Sequence, residues 1–97
     1  MSRPEVLSDD VIAAKLGYHP LWQREGNTIL REFTAQNFVG VIGMVNAIAI
    51  LAEAMDHHPD ILIYGWNKMR VTLSTHDRGG LTELDFQLAK KIDDLKY

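Results

Sequence analysis

The chain has 97 residues, a size that makes one domain with a modest core and leaves no room for a second domain or a large lid. Hydrophobic residues make up 46% of it, enough to bury a core, and the net charge of −3 gives no electrostatic basis for wrapping a phosphate backbone, so no direct nucleic-acid partner is expected. The absence of cysteine removes disulfides, thiolate nucleophiles and cysteine-ligated metals together, and is compatible with a reducing compartment. Met1-Ser2-Arg3-Pro4-Glu5 carries no apolar h-region. The longest apolar stretch, residues 45–52, is interrupted by Asn46 and reads as too short to span a bilayer. One soluble, cytoplasmic domain over residues 1–97, with no membrane partner, is the expectation.

In chain order, Ser8 suits the N-cap of a short helix, with Asp9 and Asp10 favoured by the dipole in its first turn and Gly17 at its end. Trp22-Gln23-Arg24-Glu25 and Thr28-Ile29-Leu30-Arg31-Glu32-Phe33 flank Gly26-Asn27, a pair that tolerates the positive φ of a hairpin turn. Thr34 is then expected to cap a long helix in which Phe38, Val41, Ile42, Val45, Ile48, Ala49, Ala52 and Met55 recur at steps of three and four. Pro59 disfavours helical geometry at His58, so that helix should stop near Asp56 or His57. Ile61-Leu62-Ile63-Tyr64 and residues 69–75 read as a second hairpin turning through Gly65-Trp66-Asn67-Lys68, with Met69, Val71 and Leu73 facing a core. Leu81, Leu84, Leu88, Ile92 and Leu95 mark a last amphipathic helix. The order αββαββα predicts an α+β fold: a four-stranded antiparallel sheet with the helices packed on one face.

Three of the four histidines gather in this scheme at one helix end and one strand end. His57 and His58 stand among Glu53, Asp56 and Asp60, and His76 follows His58 by eighteen residues. Imidazoles beside carboxylates can hold a proton donor and a proton acceptor together near neutral pH, which points to proton transfer on a small molecule. Each residue also has a plainer reading. Thr82-Glu83-Leu84-Asp85 is a capping-box pattern that needs no further purpose, His57 suits a helix C-terminus, and Trp66 with Tyr64 suits hairpin packing. Glu53 and His57 have chelating helical spacing, but adjacent His57 and His58 point different ways and no HExxH pair is present, so no metal is expected. His19, in Gly17-Tyr18-His19-Pro20, lies away from these motifs and receives no role.

The runs Asp56-His57-His58-Pro59-Asp60, Trp66-Asn67-Lys68, Thr72-Leu73-Ser74-Thr75-His76 and Gly80-Leu81-Thr82-Glu83-Leu84-Asp85 together resemble the pterin-4a-carbinolamine dehydratases, also known as 4a-hydroxytetrahydrobiopterin dehydratases. With Trp22, Phe33, Phe38 and Ala52-Glu53 upstream, the likeness runs from about residue 20 to residue 92. The resemblance implies a cofactor-free hydro-lyase that removes water from 4a-hydroxytetrahydrobiopterin to give the quinonoid dihydropterin during tetrahydrobiopterin recycling. It implies that His57 and His76 serve as alternating acid and base, that His58 and Pro59 contact the pterin, and that Glu53 and Asp85 support them. Trp66 falls on an aromatic position that would lie against the ring. Glu53 stands four residues before His57, one helical turn below, where its carboxylate would pair with that imidazole.

The same family implies a rival use. Its fold also serves as a dimerisation cofactor for a homeodomain transcription factor in animals, and relatives serve molybdopterin or carboxysome functions. Residues 38–49 could present a self-complementary face including Val41, Val45 and Ile48, for a homodimer, a homotetramer or a partner helix.

Overall fold

In the computed structural model, which describes residues 4–96, Ser8 accepts a hydrogen bond from the backbone N–H of Val11 and opens α1 (Asp9–Leu16), which ends at Gly17 as expected. Met1, Ser2 and Arg3, part of the stretch read for an h-region, lie outside the described residues, as does Tyr97. β1 (Gln23–Glu25) and β2 (Thr28–Thr34) pair antiparallel across Gly26-Asn27, where Gly26 at φ 60° takes the first turn position that such a hairpin reserves for glycine.

The start of α2 (Phe38–Met55) departs from the expectation. Its N-cap is Asn37, whose side chain accepts from the N–H of Gly40 at 2.7 Å. Thr34 instead closes β2, paired with Lys68, and the N–H of Ala35 bonds the carbonyl of Asn67, so the chain stays extended past Thr34. Strand pairing takes up the backbone groups that a cap at Thr34 would have needed.

β3 (Asp60–Tyr64) and β4 (Lys68–Leu73) form the second hairpin, with Gly65 and Trp66 both at positive φ in its turn. The sheet order is β1-β2-β4-β3, every neighbour antiparallel. Ile29, Phe33, Met69, Val71 and Leu73 point from one face into a core completed by Val41, Met44, Ile48 and Ala52 of α2 and by Phe86, Leu88, Ala89 and Ile92 of α3 (Glu83–Asp93). The opposite face carries Glu32, Thr72 and Arg70. This is the α+β sandwich the element order predicts, with one addition, a turn of 3-10 helix (His76–Arg78) between β4 and α3.

Two readings of α2 need correcting. Over its 18 residues its mean hydropathy is 2.0, so by length and composition the helix is long and apolar enough to cross a membrane, which the count over residues 45–52 missed. Val41 and Ile48, expected on an outward self-complementary face, are fully buried against the sheet and Val45 is half-buried. The outward stripe is Val39, Ile42 and Ile50, spaced three and eight residues apart on one side of the helix, with Phe38 beside it.

Candidate active site

The C-terminus of α2 sets the directions of His57 and His58. Asp56 adopts a left-handed conformation (φ 50°, ψ 43°); its N–H bonds the carbonyl of Glu53, and the N–H of His57 reaches back to the carbonyl of Ala52, both at 3.1 Å. This pair of bonds is the Schellman closure, which brings the residue after the left-handed one back over the last turn. His57 is thereby turned into the core, 7% exposed, while His58 remains outside and Pro59 starts the extended path into β3.

Inside, His57 meets the start of α3. Its Nε2 lies 2.7 Å from Oδ1 of Asp85, which is fully buried. The other oxygen, Oδ2, accepts from the backbone N–H of Thr82 and from the hydroxyl of Thr75, both at 2.9 Å, and the Thr75 and Thr82 hydroxyls are 2.7 Å apart. The capping box read in the sequence is present. Asp85 thus serves two partners: one oxygen caps α3, the other meets His57. A buried carboxylate is costly unless polar partners surround it, and here two donors reach Oδ2 while the imidazole closes on Oδ1.

The remaining imidazoles are solvent-facing. His58 Nε2 pairs with Glu53 Oε1 at 2.9 Å, so Glu53 serves His58 and not His57 as the sequence suggested. The Schellman turn explains the exchange, since it carries His57 inward and away from the outer surface of α2 where Glu53 lies. His76 opens the 3-10 turn after β4, with Nδ1 at 3.5 Å from the Ser74 hydroxyl. Its loop is closed by the Thr75–Gly80 bridge and tied to the N-terminal segment by bonds from Leu7 N–H to Leu81 and from Arg78 Nε to the Pro4 carbonyl.

These segments enclose a hollow of about 250 Å³ lined by Asp56, His57, His58, Ser74, His76 and Asp77, with Leu84 at its side. His57, His58 and His76 thus share one concavity. Trp66 does not reach it: the hairpin tip lies at the far end of β3 and β4, roughly 15 Å away at about 3.4 Å per strand residue, and the indole is solvent-exposed. Pro59 shapes the chain but does not line the hollow. Thr75 and Thr82 were not singled out by sequence reasoning, although both stand inside the quoted motif runs; hydroxyl residues beside a candidate acid or base were the signal available. A larger hollow of about 580 Å³ lies between β2 and the start of α2, but it holds no histidine, and its Arg31 is paired with Asp93. The clustered imidazoles line the smaller one. Among the described residues no three histidine or carboxylate side chains are grouped as a metal shell, and His19 packs its ring near Phe86.

Fold and hollow together define a small α+β domain built round a buried histidine–aspartate pair flanked by two exposed imidazoles. Residues 5–95 match the family described as pterin 4 alpha carbinolamine dehydratase, and the chain belongs to that family. A protein of Chloroflexus aurantiacus named as a candidate pterin-4-alpha-carbinolamine dehydratase is 49% identical over 89 residues, 92% of this chain and 95% of that protein. One of Sulfurisphaera tokodaii with the same name is 42% identical over 89 residues, 92% and 95% of the two chains. The crystal structure of a transcriptional coactivator/pterin dehydratase from Brucella melitensis superposes with a TM-score of 0.86 at 32% identity, covering 92% of this chain and 96% of that one. A pterin dehydratase-like protein identified as a RuBisCO assembly factor in the alpha-carboxysome shares the fold, with a TM-score of 0.57 and 22% identity over 74% of this chain and 82% of that one.

Proposed function

We propose that the chain is a dehydratase acting on 4a-hydroxytetrahydrobiopterin. In this reaction the C4a–O bond breaks, the departing hydroxide takes a proton and leaves as water, and loss of the N5 proton supplies the electron pair of the new C4a=N5 bond of the quinonoid dihydropterin. One group must give a proton and another must take one within a single site. The observation that carries the reading is the shared hollow of His57, His58 and His76, with His57 anchored to buried Asp85. His57 and His76 exchange the two protons, and His58, steadied by Glu53, binds the pterin. Acid and base assistance of this kind is worth about 10²–10⁴ in rate, adequate for a carbinolamine that also loses water unaided. Neither metal nor cofactor enters this scheme. The activity would serve tetrahydrobiopterin recycling in the cytoplasm.

Stopped-flow absorbance on freshly generated carbinolamine tests this. His57→Ala and His76→Ala should each lower kcat by about 10²-fold or more with the fold intact, while His58→Ala chiefly raises KM. Wild-type rates in all three variants would end the assignment.

The outward stripe of Val39, Ile42 and Ile50 favours a second reading alongside the first, self-association of α2 into a homodimer or homotetramer, or binding of a partner helix in transcription or assembly. Partner binding that survives simultaneous His57→Ala and His76→Ala would favour that use.

A further inference from the structure

The hydroxyls behind Asp85 have a direction. Thr82 Oγ1 accepts the N–H of Leu84 at 3.2 Å, and the Thr75 hydroxyl gives its only hydrogen to Asp85 Oδ2, so across the 2.7 Å contact Thr82 must be the donor and Thr75 the acceptor. The chain therefore runs from Leu84 N–H through Thr82 and Thr75 to the carboxylate. With the N–H of Thr82 also arriving at Oδ2, that oxygen accepts both of its bonds, and with Asp85 present as a carboxylate Oδ1 takes its hydrogen from His57 Nε2.

We propose that Thr75 and Thr82 act as positioning residues, a hydroxyl relay that fixes the Asp85 carboxylate, which in turn holds His57 in the Nε2–H tautomer and so leaves Nδ1 as the ring nitrogen able to take up or return a proton. Nδ1 has no hydrogen-bond partner among the described residues, and the ring lines the hollow although its side chain is only 8% exposed. A neutral imidazole has one donor and one acceptor nitrogen, so fixing the first fixes the second. The use of Nδ1 on a pterin rests on the proposed function; the tautomer itself does not.

The backbone makes the idea testable. In Asp85→Asn the N–H of Thr82 can only donate, so the amide oxygen must occupy the Oδ2 position, and the amide NH2 is turned toward Nε2. That nitrogen must then accept, which drives the hydrogen to Nδ1. Two-bond proton–nitrogen correlation spectra of the 15N-histidine-labelled protein, recorded above the imidazole titration, read the tautomer without any substrate. The expected result is Nε2–H in the wild type and Nδ1–H in Asp85→Asn, with kcat for the carbinolamine reduced by up to about 10⁴-fold, as an inverted tautomer does elsewhere. Thr75→Val leaves Asp85 an acceptor, so Nε2–H is kept, but the loosened carboxylate should shift the His57 Nε2–H resonance and lower kcat about tenfold with KM unchanged, the size of one lost hydrogen bond, and Thr75→Ser should restore both. Nδ1–H in the wild type, or Nε2–H retained in Asp85→Asn, overturns the proposal, as does a Thr75→Val protein with wild-type spectrum and kcat. Should Asp85→Asn not fold, the wild-type spectrum and the Thr75 pair still decide. Correct tautomers in a protein that does not dehydrate the carbinolamine would sustain the relay and remove the proposed substrate instead.

Discussion

Asp56 shows how one residue aims a site. Its left-handed backbone is a conformation that side chains other than glycine and asparagine adopt at a cost, and aspartate is among those that tolerate it. The bonds that it enables send His57 inward and keep His58 outside, so the two adjacent imidazoles acquire different partners, Asp85 and Glu53. Asp56→Gly, which relieves the backbone, should leave the unfolding free energy unchanged or raise it by up to about 1 kcal/mol, while Asp56→Val should lower it by about 1–2 kcal/mol. Urea titrations of the two variants distinguish these outcomes. Equal stabilities would mean that the turn is not what sets the geometry.

At the scale of elements, strands β2, β3 and β4 are laced on their helix-free face by Glu32, Tyr64 and Arg70. The Glu32 carboxylate accepts from the Tyr64 hydroxyl at 2.7 Å and from Arg70 Nε at 2.9 Å, and Arg70 is the direct cross-strand neighbour of Glu32. The Tyr64 hydrogen bond, and then Arg70, hold the Glu32 carboxyl below its ordinary value of 4.5, while the same bond raises the Tyr64 phenol above 10.0. For a carboxyl depressed in the folded state, the stabilisation is present above 4.5 and is lost as pH falls through the lowered folded value; for the raised phenol it is present below 10.0 and is lost as pH climbs through the raised one. Glu32→Gln should therefore flatten the fall of Tm on the acid side of 4.5 and lower Tm near neutrality slightly, as befits an exposed cluster. Melting curves at a series of acid pH values check this; parallel curves for variant and wild type would contradict it.

For the whole molecule the open question is what covers α2. The helix gives Val41, Met44, Ile48 and Ala52 to the core, yet Val39 is 78% and Ile50 72% exposed on its outer side. A stripe of that kind on an 18-residue helix suits a second copy laid alongside it. On the proposed pairing of α2 with a second copy, Val39→Asp combined with Ile50→Asp should give single chains in light scattering with the far-ultraviolet spectrum unchanged, since exposed substitutions cost a single domain little, within about 0.5 kcal/mol. An unaltered mass would place any self-association elsewhere.

Most of the architecture was legible from the residues alone. Period-two alternation in Met69, Val71 and Leu73, steps of three and four along residues 38–55, and glycines at the turns are local signals, because burial on one face of a strand or helix writes its own period into the chain. The candidate histidines were legible too, by type and clustering. The errors arose where a tertiary contact or the path of a turn, and not local periodicity, decided the outcome. Thr34 was taken by Lys68, Glu53 by His58, and Val41 with Ile48 by the sheet, while Trp66 was carried by its hairpin to the wrong end of the strands. The joint use of Asp85 by Thr75, Thr82 and His57 likewise spans 28 residues of chain, and only folding brings those atoms within hydrogen-bond reach. Sequence determined which groups are candidates to exchange protons; tertiary structure decided which of them is buried and which carboxylate each one meets, because a hydrogen bond depends on distance and direction in space and leaves no period in the chain.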